Sequence, residues 1–370
     1  MSRSSREGKR MDTNRPRSHQ ISFDFGAMRR EAPGRSSTDA SLGPAENADP
    51  SFLEKIRRLP PLPPAVRFGT SSWNYPGWIG QIYHGHYPRR GDASAMLKEY
   101  VRCPLFRCVG MDSTFYRPAE PHELARWHAI LPPHFEALAK VWERITIYKY
   151  AKTKRAGENA GRLNPDFLNA SLCRDRVVGP WLEHMGERAG PLIFEFQAMH
   201  PPHRPDPSRF GDMLCAFFDR LPAEGRYSIE LRTPDFLTED YLDTLSRLGV
   251  AHVFNSWTGM PSIGEQLRLG KALTTSFVPV RALLRPGRRY AHAVERFTPY
   301  DRIREIQTDV RADIVRLMRR GLARGVRLYV LVNNRLEGNA PETIAALWTM
   351  LAQSAEAAPG EDVGPEPPHT

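Results

Sequence analysis

Short apolar runs alternate eight times with longer stretches of helical periodicity along the middle of this 370-residue chain, and no other feature limits its fold as much. The apolar runs fall at 66–73, 107–115, 135–141, 192–197, 227–232, 251–257, 274–282 and 327–334. Helical patterns occupy 93–102, 121–130, 158–188, 207–220, 238–248, 300–324 and 342–353; only 259–273 reads as neither. Repeats of this kind are the signature of βα units around a parallel sheet. In 300–324, Ile303, Ile306, Val310, Ile314, Leu317 and Met318 recur every three or four residues, the spacing of one buried stripe. An open, doubly wound sheet has the same alternation, but no G-x-G-x-x-G follows the first run. The expected fold is therefore α/β, a TIM-type (β/α)8 barrel in a single domain over residues 63–355.

Residues 1–62 are rich in Ser, Arg, Pro, Gly and Asp without sustained periodicity, and 356–370 are rich in Pro, Gly and acids. Such segments bury too little to repay their ordering entropy, so both are expected to be disordered tails. A helical turn is expected at 52–59, ahead of the spacer Pro60-Pro61-Leu62-Pro63-Pro64. At 41% hydrophobic residues the remainder has enough apolar surface for a core. No run approaches the roughly 18 apolar residues that span a bilayer. The N-terminus carries charges and serines where a signal peptide is apolar, and Glu7, Asp12, Asp24 and Glu31 interrupt any transit-peptide pattern, so a cytoplasmic protein without membrane contact is expected. Cys103, Cys108, Cys173 and Cys215 form no metal-binding spacing and read as buried free thiols.

The formal charge of +10 raises the question of nucleic acid. Part of the excess sits in the tail (Arg3, Arg6, Lys9, Arg10, Arg15, Arg17), and Arg316, Arg319, Arg320 and Arg324 are spread over a helix as a solvated face. Clustering rather than the sum marks a nucleic-acid surface, so charge alone gives that reading little support.

Several segments resemble one family. Gly69-Thr70-Ser71-Ser72-Trp73-Asn74-Tyr75-Pro76-Gly77-Trp78 is similar to the opening motif of DUF72 (YecE-like) proteins, and Asp112-Ser113-Thr114-Phe115-Tyr116-Arg117 to the second. Residues 135–140 with Ile145-Thr146, then 190–194, 229–232 and 333–341, follow in the family's order, so the resemblance spans roughly 66–350. It implies a TIM-type barrel and no particular reaction. Gly110 and Asp112 stand where similar sequences usually carry Glu and Asn, Thr233 replaces a usual His, and Asn255 replaces a common Asp.

In a parallel barrel the pocket lies at the C-terminal ends of the strands, so polar residues late in each run are the candidates. Glu230 and Arg232 share one side of their strand, with Ile229 and Leu231 on the other, and should face the axis. A carboxylate and a guanidinium there need partners. Either Glu230 is a general acid/base beside an Arg232 anion clamp, or the two form a structural ion pair. Lys140, ending its run, is a candidate to hold a phosphate or carboxylate or to form a Schiff base; the alternative is a lysine snorkelling at the rim. Asp112 either accepts a substrate hydroxyl or caps the next turn.

The catalytic candidates are thus Glu230, Lys140 and Asp112, and the ligand-binding candidates Arg232, Arg281, Asn255, Asn333, Asn334, Trp73, Tyr116 and Glu195. Amides with guanidinium groups suit a small anionic or polyhydroxy ligand such as a phosphosugar or sugar acid. No cofactor is expected, although Asp112, Glu195, Glu230 and Asn255 are oxygen donors of the kind that ring Mg2+ or Mn2+. No His ends any of the runs, and His200 and His203 read as loop residues. The first loop is aromatic (Trp73, Tyr75, Trp78, Tyr83, Tyr87) and reads as a lid or as a satellite core. After the last run, Gly338-Asn339-Ala340-Pro341 opens a helix whose free N–H groups, with Arg281 a strand away, are the expected anion site. Three functions compete: an acid/base enzyme with Glu230 as proton carrier, a nucleic-acid-binding or maintenance protein, and a non-catalytic scaffold with a degenerate site. Oligomeric state is not encoded legibly.

Overall fold

The computed structural model describes residues 50–85, 87 and 92–356. Among them are nine strands: β1 (Val66–Thr70), β2 (Cys108–Met111), β3 (Glu136–Lys140), β4 (Ala189–Phe196), β5 (Tyr227–Leu231), β6 (Ala251–His252), β7 (Phe254–Asn255), β8 (Phe277–Ala282) and β9 (Arg327–Val332). They form two parallel sheets in the orders β1-β9-β8-β7 and β2-β3-β4-β5-β6, and helices separate most of them along the chain. The fold is α/β. Only Val253 separates β6 from β7, and its N–H still donates to Ile229 O at 2.9 Å, so the two sheets share one interrupted strand. At their other edges Arg107 N donates to Phe68 O at 2.8 Å. A Cβ on Gly69 would stand 2.1 Å from Cys108 O, so this approach of β1 to β2 requires glycine.

Alternation along the strands sorts side chains into two sets. Phe68, Val109, Ala137, Phe194, Ile229 and Val330 join the main core beneath the helices. Cys108, Leu138, Ile193, Ala251, Val253, Phe277, Tyr329 and Leu331 make a second apolar cluster of their own. Stepping by two from this belt reaches charged residues at both strand ends. Glu136, Arg226 and Arg327 lie toward the N-terminal ends, called the floor below. Lys140, Glu195, Glu230 and Arg281 lie toward the C-terminal ends, called the mouth.

The structure corrects several expected elements. Of the helix expected over 300–324 only Thr308–Ala323 forms; a separate helix, Tyr290–Phe297, ends before that range begins. Pro299 interrupts the pattern, and Ile306, expected in the stripe, is 60% exposed; the buried stripe begins at Val310 and continues through Ile314, Leu317 and Met318. The strand expected through residue 115 ends at Met111, and Asp112–Phe115 is a 3-10 turn, held where the Thr114 hydroxyl donates to Met111 O and Lys140 O. Within 158–188 the helical part is Ala170–Cys173, a π-helical turn Arg174–Val178, and Gly179–Met185. The unassigned 259–273 holds the helix Ile263–Arg268, opened by a reciprocal Ser262/Glu265 capping box whose S-x-x-E was readable in the sequence.

Residues 50–62, expected as the end of the tail, include the helix Pro50–Arg57, which buries Phe52 and Ile56, while Trp348 Nε1 donates to Pro60 O at 2.9 Å. The rest of both expected tails lies outside the described residues. Cys103, Cys108 and Cys173 are buried free thiols and Cys215 is half-buried. No described helix is long and apolar enough to cross a membrane.

Candidate functional site: a charged cluster at the mouth

Glu195 on β4 and Glu230 on β5 are neighbours in register, so the pairing of two parallel strands sets two carboxylates side by side. Both are buried, and buried carboxylates persist only with partners. Lys140 Nζ lies 2.8 Å from Glu195 Oε2. Arg232 Nη2 reaches Glu195 Oε2 at 3.0 Å and Glu230 Oε1 at 2.5 Å. Arg281 Nε stands 3.3 Å from Glu230 Oε2, while its two terminal nitrogens grip Asp112 at 3.0 and 2.8 Å. Three cations thus meet three carboxylates. Lys140 sits 4.0 Å over the Phe115 ring and the Arg232 guanidinium 4.0 Å over Trp257, so aromatic faces hold both cations from a second side.

The two glutamates are not equivalent. Burial pushes the Glu195 carboxyl up, but Lys140, Arg232 and Arg281 together outweigh it and hold it well below the usual carboxylate range. At Glu230 burial wins over Arg232 and Arg281, the Glu195 charge adds to it, and the carboxyl is raised. Geometry agrees: neither Glu230 oxygen receives an aligned hydrogen bond, despite Arg232 at 2.5 Å. Arg232 Nη1 and Arg281 Nε are likewise buried without an aligned acceptor.

Of the catalytic candidates, Glu230, Lys140 and Asp112 all enter this cluster, as do Arg232, Arg281 and Glu195. Lys140 is buried rather than snorkelling, and Asp112 grips Arg281 rather than capping its turn. Tyr116 joins the rim: the Arg155 guanidinium lies 4.4 Å over its ring, and Glu195 and Asp112 are near enough to add to the rise that burial gives its hydroxyl pKa. The other candidates have structural partners. Asn255 Nδ2 donates to Leu231 O, and its Oδ1 accepts from Trp257 N. Asn334 Oδ1 accepts from Trp78 Nε1 and Ala340 N. Asn333 Oδ1 accepts from the backbone and guanidinium of Arg335. Trp73 donates to Ala93 O and packs edge-on against Trp127, as in a satellite core.

The anion site expected at the start of the last helix, Ala340–Glu356, is corrected. Its N–H groups are taken internally: Ala340 N by Asn334 Oδ1, Glu342 N by Asn339 Oδ1 and Thr343 N by Asn339 O. The Gly110 departure has a steric basis, because a Cβ there would meet Ser71 O at 2.9 Å. Thr233 uses its hydroxyl to accept from Met199 N. Asp112, Glu195 and Glu230 already face cations, and among the described residues no group of three or more His, Cys, Asp or Glu is placed to hold a metal ion.

Sequence reasoning missed Trp257, Arg335, Glu143 and Arg155. Trp257 and Arg335 follow Asn255 and Asn333 by two residues, so the period-2 rule carried one step past each strand end would have found them. Glu143 and Arg155 pair with each other from the long segment between β3 and β4, for which the sequence offers no comparable signal.

A parallel α/β protein with a neutralised, half-satisfied charge cluster at its strand ends is the class that fold and site define. The chain belongs to the DUF72 family: the model of that family, "Protein of unknown function DUF72", matches residues 67–369. Among solved structures it resembles a DUF72 family protein from Enterococcus faecalis, with a TM-score of 0.51 at 15% identity over 82% of this chain and 100% of that one. A DUF72 family protein from Thermotoga maritima gives 0.49 at 17% identity, over 79% of this chain and 99% of its own. No curated protein matches the chain.

Proposed function

We propose that the two sheets close into one (β/α)8 barrel whose mouth binds a small anionic, hydroxyl-bearing ligand of the phosphosugar or sugar-acid type, and that Glu230 exchanges a proton with it. The shared strand β6/β7, the Arg107–Phe68 hydrogen bond at the other seam and the separate inner cluster support closure. One observation carries the site: Glu230 is fully buried, flanked by two guanidinium groups, and has no aligned hydrogen bond to either oxygen. Buried polar groups are normally satisfied, and exceptions need a reason. A ligand hydroxyl aligned with Glu230 would supply one.

The opposed environments of the two glutamates support distinct roles. Glu230, the raised carboxyl, carries the proton. Glu195 stays ionised and holds Lys140 and Arg232 in place toward a ligand anion. The test is thermal denaturation of the full chain against a panel of sugar phosphates and sugar acids. A specific ligand should raise Tm progressively with concentration. With a ligand in hand, Glu230→Gln should keep binding and abolish turnover; undiminished turnover removes Glu230 from the chemistry.

A further inference from the structure

Among the described residues, the buried cations Lys140, Arg232, Arg281 and Arg311 each have a carboxylate within 4.0 Å, and Arg335 has none. It is 7% exposed. Its Nη1 donates to Asn333 Oδ1 at 3.2 Å, and its Nε is buried without an acceptor. Its guanidinium lies 4.5 Å over the Tyr290 ring, with Tyr75, Tyr300 and Asp112 close enough to bear on its charge. Asp112 makes no ion pair with it within 4.0 Å, and both Asp112 oxygens accept from Arg281.

The surroundings are built rather than accidental. Tyr75 and Tyr300 pack edge-on at 5.7 Å, and Tyr300 is held at φ 72, a left-handed conformation that costs energy for a non-glycine residue and tends to occur at functional positions. Asn334, the preceding residue, has a buried Nδ2 that also lacks an acceptor. An isolated buried guanidinium is costly unless an anion meets it.

We propose that Arg335 holds a second anionic group of the ligand, so that the mouth takes a molecule with two anionic ends: one beside Lys140, Arg232 and Glu230, the other at Arg335. The inference rests on the reading of the mouth given above and narrows its substrate class to phosphorylated sugar acids and sugar diacids. The Asp112–Arg281 pair links the two positions: Arg281 touches both Glu230 and Asp112, and the Asp112 charge is near enough to act on Arg335. A hydroxylated carbon chain would bridge them.

The test is calorimetric titration of the full chain with four probes: gluconate and glucose phosphate, each with one anionic group, and phosphogluconate and glucarate, each with two. Wild type should bind at least one two-anion probe roughly tenfold or more tighter than either one-anion probe, the worth of one charge-assisted contact. Arg335→Gln should erase that preference while leaving one-anion binding within about twofold, and Arg335→Lys should keep part of it. A purely structural role predicts a lower Tm for Arg335→Gln. Removal of an uncompensated charge predicts an unchanged or higher Tm, so unfolding of the Gln variant counts against the proposal. Binding of one-anion probes with no two-anion advantage removes the Arg335 subsite and leaves the mouth reading standing. Failure of all four probes removes both.

Discussion

The two ends of the second apolar cluster carry charge clusters of opposite character. At the floor one carboxylate, Glu136, serves several cations: Arg67 at 3.0 Å, Arg226 at 2.6 Å and Arg327 at 3.8 Å. Both Glu136 oxygens accept aligned hydrogen bonds, one from Arg226 and one from Tyr329, and Arg226 also donates to the Tyr329 hydroxyl at 2.7 Å. The excess positive charge drains to solvent, since the Arg226 and Arg327 side chains are 29% and 48% exposed. At the mouth the charges balance three against three, yet Arg232, Arg281 and Glu230 are almost fully buried and several of their polar atoms lack aligned partners. A clamp that only ties strands together can be almost completed from within the protein, as the floor is, where Arg67 Nε alone of the atoms around Glu136 is buried without an aligned acceptor. The mouth is incomplete in a way that a bound molecule would complete.

The sharpest way to break this contrast is to remove one carboxylate from each end. Glu195→Gln leaves Lys140 and Arg232 buried and short of a counter-charge, so it should lower stability at neutral pH by about 3–5 kcal/mol in denaturant titrations. Glu136→Gln removes a carboxylate whose cations can turn to water, and should cost less, about 1.5–3 kcal/mol. Equal losses would mean that the two ends are the same kind of structure. Tyr329→Phe removes a single hydroxyl from the floor and should cost about 1 kcal/mol, without any effect on ligand-dependent shifts in Tm.

Legibility followed the same division. Period-2 alternation placed Glu230 and Arg232 on one face, and position late in an apolar run singled out Lys140, Glu195 and Arg281. It failed at Asn255, Asn333 and Asn334, which lie at strand ends as expected yet spend their amides on neighbouring backbone and side chains; which groups an amide satisfies depends on loop geometry that local sequence does not encode. The helix expected from residue 300 failed for a related reason. Ile303 and Ile306 continue the spacing of the buried stripe, but Pro299 and the buried Glu337 shape the segment, with Glu337 accepting from Gln307 N and the Arg311 guanidinium. The floor was as readable as the mouth, since Glu136 and Arg226 obey the same parity as Lys140 and Glu230. Attention to strand C-termini passed over it.

The smallest expected effect separates the two ends most cleanly. Glu195 has a depressed carboxyl, so its stabilisation is present above the ordinary carboxylate value of 4.5 and is lost only as pH falls through its lower folded-state value. Glu230 runs the other way: with its carboxyl raised above 4.5, the folded chain holds a proton that the unfolded chain has lost, so its contribution declines as pH rises from that value. Glu230→Gln is nearly isosteric and cannot ionise. Below pH 4.5 it should match wild type, and at higher pH it should be equally stable or gain by up to about 1 kcal/mol, because it removes a buried charge that no aligned hydrogen bond supports. Stability curves of the two proteins between mild acid and neutrality measure the difference directly. A Gln variant that loses about 2 kcal/mol or more at neutral pH would show Glu230 to be a satisfied counter-ion like Glu136, and the mouth would then be a second structural clamp.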